Sequence, residues 1–336
     1  MKRIAILGAT GYTAVELIKL LLRHPEVEIT TLTSRQEGNP PISSVHPSLM
    51  NRLDLNLENL DVAQVAARAD CVFSCLPHGA SAASIVGLLD AGCRVIDFSA
   101  DYRLNDVATY EEWYGVRHPD PQRVPDAVYG LPEWFRASIV DAQLVANPGC
   151  YPTSAILALA PLLKAKMIDP AEIIIDSKSG VSGGGRTPKL TFHYPECNES
   201  ISAYNVGRHR HGPEIEHILG NAAGQPAEVI FTPHLTPMDR GILSTAYSRP
   251  VSAVTEEDVL EVLAGTYANE PFVRVVEHLP GTKDVSGTNY CDITARVVRG
   301  RIITISCIDN LIKGASGAAV QNFNVMYGLN ESTALV

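Results

Sequence analysis

Basic residues are scarce: 27 Lys plus Arg stand against 37 Asp plus Glu, a net charge of −10 over 336 residues. Such a chain repels nucleic acid and anionic membranes, so neither is expected as a partner, and any anionic ligand must be met by a local basic site. Long apolar runs are missing too. Ile4-Ala5-Ile6-Leu7, after Lys2-Arg3, stops at Gly8, short of a secretory signal, and nothing reaches the roughly 18 uninterrupted apolar residues of a membrane helix. The seven cysteines are an odd number and contain no CxxC pair, which argues against a disulfide framework and a zinc ribbon. No metal is expected, and a reducing cytoplasm is the simplest location. Glycine (25) and proline (22) are too few for a collagenous or low-complexity chain, and no internal repeat is visible.

What is present is a chain that is 46% hydrophobic and long enough for about two domains. In the first half, short apolar runs (Ile4 to Leu7, Val27 to Leu32, Cys71 to Leu76, Val95 to Phe98, Leu144 to Ala146) alternate with helical segments such as Ala14 to Arg23, Val62 to Ala67 and Ala80 to Asp90. That rhythm predicts an α/β fold with a doubly wound parallel sheet. From Ala171 onward the strand candidates are longer and closer together: Glu172 to Asp176, Glu228 to Thr232, Leu243 to Arg249, Cys291 to Arg299 and Ile302 to Ile308. A second domain with a mixed or antiparallel sheet is expected, with the boundary at the breaker cluster Asn147-Pro148-Gly149. Ala315, Ala318, Ala319, Asn322, Phe323 and Met326 have helical spacing, so a helix closes the chain and returns to either domain.

The first strand runs into Gly8-Ala9-Thr10-Gly11-Tyr12-Thr13-Ala14, and a helix follows. Gly8 allows the tight turn, Gly11 lets backbone N–H groups approach a pyrophosphate, and small Ala14 lets the helix pack close to the strand, so this is a dinucleotide site. An NAD enzyme places an acid roughly 20 residues further on; here stand Ser34 and Arg35, a hydroxyl and a guanidinium suited to a 2′-phosphate, which favours NADP. Cys150, in Asn147-Pro148-Gly149-Cys150-Tyr151-Pro152-Thr153, precedes a helical run. With Pro152 as first helical residue, the thiol sits just before a helix N-terminus, a setting that favours a thiolate and an oxyanion. Pro161 is expected to bend or split that helix. The other cysteines lack this setting, and Cys71, Cys93, Cys291 and Cys307 read as small core residues.

Arg208-His209-Arg210-His211 is the densest basic cluster. In an extended segment both imidazoles face one way, towards a thiolate, and both guanidiniums the other, towards phosphate. Ser179 to Arg186 reads as a glycine-rich loop around a ligand, Asp97 to Arg103 as a strand-end segment facing one, and Lys313-Gly314 as the cofactor-facing start of the final helix.

Together these motifs resemble the N-acetyl-gamma-glutamyl-phosphate reductase family of the semialdehyde dehydrogenase superfamily: GATGYTAVEL at 8–17, CLPHGAS at 75–81, DFSADYRL at 97–104, YGLPE at 129–133, NPGCYPT at 147–153, SGVSGGGR at 179–186, HRHGPEI at 209–215, FTPHLTPMDRGI at 231–242 and DNLIKGASGAAVQNFN at 309–324. Ala14 in place of a third glycine and Ala318 in place of a frequent Gln depart from that pattern. The resemblance implies a Rossmann domain over 1–148, joined by a terminal helix at 311–330, and a catalytic α+β domain over 149–310. It implies NADPH reduction of an acyl phosphate to a semialdehyde and phosphate, through a thioester on Cys150. His211, with His209 second, would carry protons. Gly8, Thr10, Gly11, Tyr12, Thr13, Ser34, Arg35, Pro77, Ser182, Gly183, Asn310, Lys313 and Gly314 would hold the cofactor. Arg103, Asn147, Arg208, Arg210 and Glu214 would hold substrate and phosphate. A homo-oligomer, dimer or tetramer, is expected. Aspartate semialdehyde or carrier-linked aminoadipate semialdehyde dehydrogenases would use the same machinery, although a −10 chain suits an acidic carrier poorly. An NADP-sensing regulator would not need Cys150 and the two histidines, and a cysteine hydrolase would not need the glycine fingerprint.

Overall fold

The computed structural model describes all 336 residues, which divide into two compact units, 1–148 with 315–336, and 149–314.

The first unit carries β1 (Lys2–Leu7), β2 (Val27–Thr33), β3 (Leu57–Glu58), β4 (Cys71–Ser74), β5 (Arg94–Asp97), β6 (Val128–Tyr129) and β7 (Leu144–Ala146). All pair in parallel, in the order β3-β2-β1-β4-β5-β7-β6. The winding direction reverses between β1 and β4, where a doubly wound sheet opens its crevice at the carboxyl ends of the strands. Every residue of β4 is buried, as for a parallel strand covered on both faces. Helices Tyr12–Leu21, Val62–Arg68 and Ala80–Asp90 make crossovers; the helix Gly317–Met326, buried along its whole length, completes the unit. Its buried amides donate to their surroundings: Asn322 to Gly130 O, Gln321 to Glu133 and Glu331, and Asn324 to Glu331 O and Thr333 O.

The stretch 105–122 holds a helix, Val107–Tyr114, whose N–H groups at Ala108 and Thr109 are capped by the Asp106 carboxylate. Gly115 ends it in the left-handed conformation, at φ 67°. The final helix is preceded by a wide turn over Ile312–Ser316, so Lys313 and Gly314 lie before the helix and within the second unit.

The second unit carries β8 (Ile168–Gly180), β9 (Ser202–Ala203), β10 (Val229–Thr236), β11 (Ile242–Pro250), β12 (Val273–Val275), β13 (Cys291–Val298) and β14 (Arg301–Ile308), ordered β12-β13-β14-β11-β8-β10-β9. The sheet is mixed: β8 pairs with β10 in parallel and with β11 antiparallel. Strand β8 runs well past the expected Asp176 into the glycine-rich segment, because β10 and β11 supply partners as far as Gly180 and Ser179 respectively.

One helix, Cys150–Lys164, packs on this sheet with every residue from Tyr151 to Leu163 buried. It differs from expectation twice. It starts at Cys150 itself, with Gly149 as N-cap, so the thiol belongs to the first helical residue and not to the one before the helix. It also continues through Pro161, which does not split it. Pro161 has no N–H for the carbonyl four residues back, that of Leu157. The buried Tyr267 hydroxyl donates to that carbonyl at 2.6 Å, filling the missing bond from outside the helix. Removing this donor should therefore cost more than an ordinary Tyr→Phe change: Tyr267→Phe is expected to destabilise the unit by about 1–3 kcal/mol, the penalty for a buried unsatisfied carbonyl. Pro161→Ala, which restores an N–H, should recover part of that loss only in the Tyr267→Phe background. Chemical denaturation of the two single variants and the double variant measures the coupling; additive effects would disprove the substitution of one donor for the other.

Candidate active site

In the first unit the glycine turn has the geometry a pyrophosphate requires. Gly8 has φ +71°, and a Cβ there would lie 2.9 Å from the carbonyl oxygen of Cys75, so only glycine fits. The turn is tied to the end of β2 by Ala9 N–H donating to Thr33 O at 3.0 Å. The Tyr12–Leu21 helix begins behind Gly11 with no side-chain cap and no acid in its first turn, leaving its positive end for an anion. Thr10 and Thr13 are half-buried in this turn and Tyr12 is exposed. Ser34 is tied to Glu58 O through its own N–H, Arg35 projects into solvent, and Pro77 is exposed just beyond β4. The glycine turn and the uncapped helix start behind it fit a dinucleotide.

Arg103 and Asn147 face inward. Arg103 is only 7% exposed, and donates to Asn147 O through Nε at 2.8 Å and to Phe98 O through Nη2 at 2.7 Å. The Asn147 side chain donates to Ala315 O and accepts from Asn322. Both residues therefore brace the strand end that leads to Cys150.

In the second unit the thiol, an imidazole and a carboxylate converge on Gly149. The Gly149 N–H donates to Oε1 of Glu214, a carboxylate only 1% exposed, at 2.8 Å. A Cβ on Gly149 would lie 2.6 Å from His211 Nε2, so the imidazole abuts the residue immediately before Cys150. From the other side comes Gly314, where a Cβ would lie 2.8 Å from the Cβ of Cys150. Thr153 N–H donates to Gly149 O in the first turn, and Cys150 stands at the positive end of this helix.

The His209/His211 segment is not extended. It turns at Asn205–Arg208, and His211 opens the helix His211–Ala223. The alternation expected of a strand therefore fails: the backbone folds back so that His211 N–H donates to His209 Nδ1 at 3.1 Å. Both rings still meet, 4.8 Å apart, with Tyr151, Tyr204 and Phe231 around His209. Burial, reinforced by the Arg210 charge, lowers His209 to about 4, which keeps it neutral with Nδ1 as acceptor. Arg208 and Arg210 are exposed. Tyr204, pushed up to about 12 by burial, and Tyr151, raised by burial as well, share a hydroxyl contact of 3.0 Å. Neither tyrosine was legible as a site residue, although one follows Cys150 directly and the other lies five residues before His209.

The glycine-rich segment turns in a short 3-10 helix, Val181–Gly184. Ser182 donates to Asp239 O and accepts from Asn310, whose carbonyl oxygen in turn accepts from Gly241 N–H, so Ser182 and Asn310 lace this turn to its neighbours beside Gly183. Lys313 is fully buried, with its ammonium 5.8 Å from the Phe272 ring centre. Cys71, Cys93, Cys291 and Cys307 are core residues, as expected.

Residues 3–142 match the family described as semialdehyde dehydrogenase, NAD binding domain, and residues 150–310 match semialdehyde dehydrogenase, dimerisation domain. The N-acetyl-gamma-glutamyl-phosphate reductase of Rhodopirellula baltica is 56% identical over 99% of this chain and 98% of its own length. That of Citrifermentans bemidjiense is 53% identical over 100% and 98%. The chain belongs to the N-acetyl-gamma-glutamyl-phosphate reductase family. Aspartate semialdehyde dehydrogenase II of Vibrio cholerae, complexed with ASA, superposes with a TM-score of 0.75 at 17% identity over 97% of this chain and 98% of its own. The Candida albicans aspartate semialdehyde dehydrogenase with NADP gives 0.73 at 17% over the same shares. At that identity these two speak for the fold of the reductase family and nothing finer. No helix is long and apolar enough to cross a membrane.

The His209 shift has a sign that can be checked. Its folded value lies below the ordinary 6.5, so the unfolded chain binds more protons between about 4 and 6.5 and stability is lost as the pH falls through that window. His209→Asn keeps an acceptor for His211 N–H and removes the titration. Its melting temperature should therefore fall less between pH 7 and pH 4.5 than that of the unmodified protein, as read by thermal scans across the range. Parallel losses in both proteins would refute the buried neutral state.

Proposed function

We propose that this protein reduces N-acetyl-L-glutamyl 5-phosphate to N-acetyl-L-glutamate 5-semialdehyde and phosphate, reversibly and with NADPH, in arginine biosynthesis. The observation that carries the reading is Cys150 on the first turn of a buried helix, with His211 Nε2 against Gly149 and Glu214 holding the Gly149 N–H. Cys150 Sγ attacks the acyl carbon, the C–O bond to phosphate breaks, and phosphate leaves with its electron pair and takes a proton from solvent. A thioester on Cys150 remains. A dinucleotide held by the glycine turn at Gly8 to Thr13 would supply the hydride that the thioester carbon accepts. As C=O re-forms, the C–S bond breaks, the aldehyde departs and the sulfur is free for another turnover. The positive end of the Cys150 helix stabilises the oxyanion at each tetrahedral stage. The covalent tether holds the acyl carbon in place between the two steps.

His211 takes the thiol proton and returns it to sulfur, because its neighbour is committed elsewhere: His209 is neutral, and its Nδ1 holds the His211 backbone. Glu214 positions Gly149 and thereby the thiol. Arg103, whose guanidinium braces Asn147, serves phosphate. Ser34 and Arg35 select NADP. The first unit binds the cofactor and the second carries the chemistry. The reaction runs in the cytoplasm, consistent with seven free cysteines. A homo-oligomer is supported by the row Ile230, Ile174 and Tyr247, paired across β10, β8 and β11 and 62%, 45% and 41% exposed on the open sheet face.

Phosphate-dependent NADP reduction with N-acetylglutamate semialdehyde, compared with aspartate and aminoadipate semialdehydes, tests the substrate. In that assay Cys150→Ser should lose turnover by several orders of magnitude while NADP affinity holds, since no alkoxide forms at neutral pH. His211→Asn should depress turnover and flatten the limb of the pH profile near neutrality, with His209→Asn retaining that limb. An active Cys150→Ser protein, or a limb that vanishes with His209 and not with His211, would reassign these roles.

Cofactor choice is tested separately. Arg35→Asp sets a negative charge against the 2′-phosphate and offers an acceptor to a ribose hydroxyl, so the NADP-over-NAD ratio of kcat/KM should shift towards NAD. An unchanged ratio would remove Arg35 from the cofactor site.

A further inference from the structure

The segment Pro237-Met238-Asp239-Arg240-Gly241, between β10 and β11, takes no part in the chemistry derived above, yet its backbone is held on every side. Gly180 N–H donates to Gly241 O, Val181 N–H to Met238 O, and both Ser182 N–H and Oγ to Asp239 O. Gly241 N–H donates to Asn310 Oδ1 at 2.8 Å. Two glycines are obligatory for this closeness: a Cβ on Gly180 would lie 2.5 Å from Asp239 O, and Gly241, at φ +109°, would meet Thr282 at 2.6 Å. A surface turn whose only task is to reverse the chain needs none of this.

The one long cationic side chain of this turn is equally constrained. Arg240 Nη1 pairs with Asp309 Oδ2 at 3.2 Å, and Asp309 has no exposed side-chain surface. That carboxylate is rigid in turn: Oδ1 accepts from Leu311 and Ile312 N–H, and Oδ2 from Gly287 N–H. The Arg240 side chain is 21% exposed, so its guanidinium reaches solvent while its buried acid fixes its direction. Asp309 also joins it to the thiol. Gly314 N–H donates to Asp309 O at 2.9 Å, and Gly314 is the residue whose Cα abuts Cys150.

We propose that Arg240 is a substrate-binding residue that receives the α-carboxylate of the N-acylated amino acid by a charge-assisted, two-pronged hydrogen bond, and so sets the distance from that carboxylate to the carbon that Cys150 attacks. The inference rests on the reaction proposed above. Both the substrate and its product carry this carboxylate at the end remote from the reacting carbon, and a chain of net charge −10 needs a local cation to hold it. A planar guanidinium presents parallel donors to a carboxylate, which an ammonium does not. Arg208 and Arg210 are exposed on their turn and Lys313 is fully buried, whereas Arg240 is part-exposed, oriented by a buried acid, and laced to the Cys150 surroundings through Asp309 and Gly314.

The test is steady-state kinetics in the oxidative direction. Arg240→Leu should raise KM for N-acetylglutamate semialdehyde about 10- to 100-fold and leave KM for phosphate and for NADP within about twofold, with Arg240→Lys recovering only part. The same aldehyde with hydrogen in place of its α-carboxylate should be handled alike by the unmodified protein and Arg240→Leu. A rise in the phosphate KM in place of the aldehyde KM would assign the guanidinium to phosphate and overturn the carboxylate site. A fall in kcat with unchanged KM values, accompanied by a lower melting temperature, would overturn it in favour of a loop brace. Should the unmodified protein oxidise neither aldehyde, the proposed reaction fails, and titration of N-acetylglutamate against the unmodified protein and Arg240→Leu still decides the site: weaker binding by the variant supports it and equal binding overturns it.

Discussion

The chemistry of this protein depends on how closely backbone can approach one sulfur atom. Gly149 and Gly314 flank Cys150 from two directions, and neither position has room for a methyl group. Removing two side chains costs chain entropy, but it lets His211 lie against the residue before the thiol and lets the turn after Asp309 lie against the thiol's own Cβ. The Cys150 helix is immobilised behind this contact by burial along nearly all its length, so the sulfur has a stiff base and a crowded front. Hydride chemistry on a tethered acyl group demands that rigidity, since sub-ångström misplacement of a reacting carbon weakens every step at once.

Buried carboxylates supply much of the remaining stiffness. An acidic chain would be expected to carry its acids on the surface, yet Glu214, Asp309, Asp101 and Asp97 are all buried. Each gathers donors. Asp101 accepts from the N–H groups of Gly79 and Ala82 and from the Tyr110 hydroxyl, binding the start of the Ala80–Asp90 helix to the helix Val107–Tyr114. Asp97 accepts from Ser81 and Ser99, and burial nonetheless pushes it up to about 6. These acids behave as staples for loops at strand ends, where a backbone without regular pairing would otherwise leave its N–H groups unsatisfied.

The parallel sheet was legible because its signals are local: short apolar runs, helical intervals and a glycine turn at the first strand end. The mixed character of the second sheet was legible from strand length and spacing alone. What escaped reading was settled by contacts distant in sequence. Pro161 predicts a broken helix to anyone who sees only its own neighbourhood, and the tyrosine that mends it is more than a hundred residues away. The His209–His211 alternation presumes an extended chain, whereas the helix that starts at His211 turns the backbone under it. Lys313, read as a cofactor-facing residue at the start of the final helix, lies before that helix and is fully buried. Tyr151 sits inside NPGCYPT and Tyr204 outside every motif, and only folding shows that their hydroxyls meet.

The discontinuity of the first unit has a consequence for biosynthesis. Its sheet is translated early, but the helix Gly317–Met326, which fills its interior and satisfies Gly130 O and the Asn147 side chain, comes from the far end of the chain. The second unit is a single uninterrupted stretch, 149–314. During vectorial synthesis the sheet of the first unit therefore emerges long before the helix that fills it. Until the chain is complete, the nascent dinucleotide fold has its strands and lacks the element that covers them, which makes it the stretch most open to misassembly.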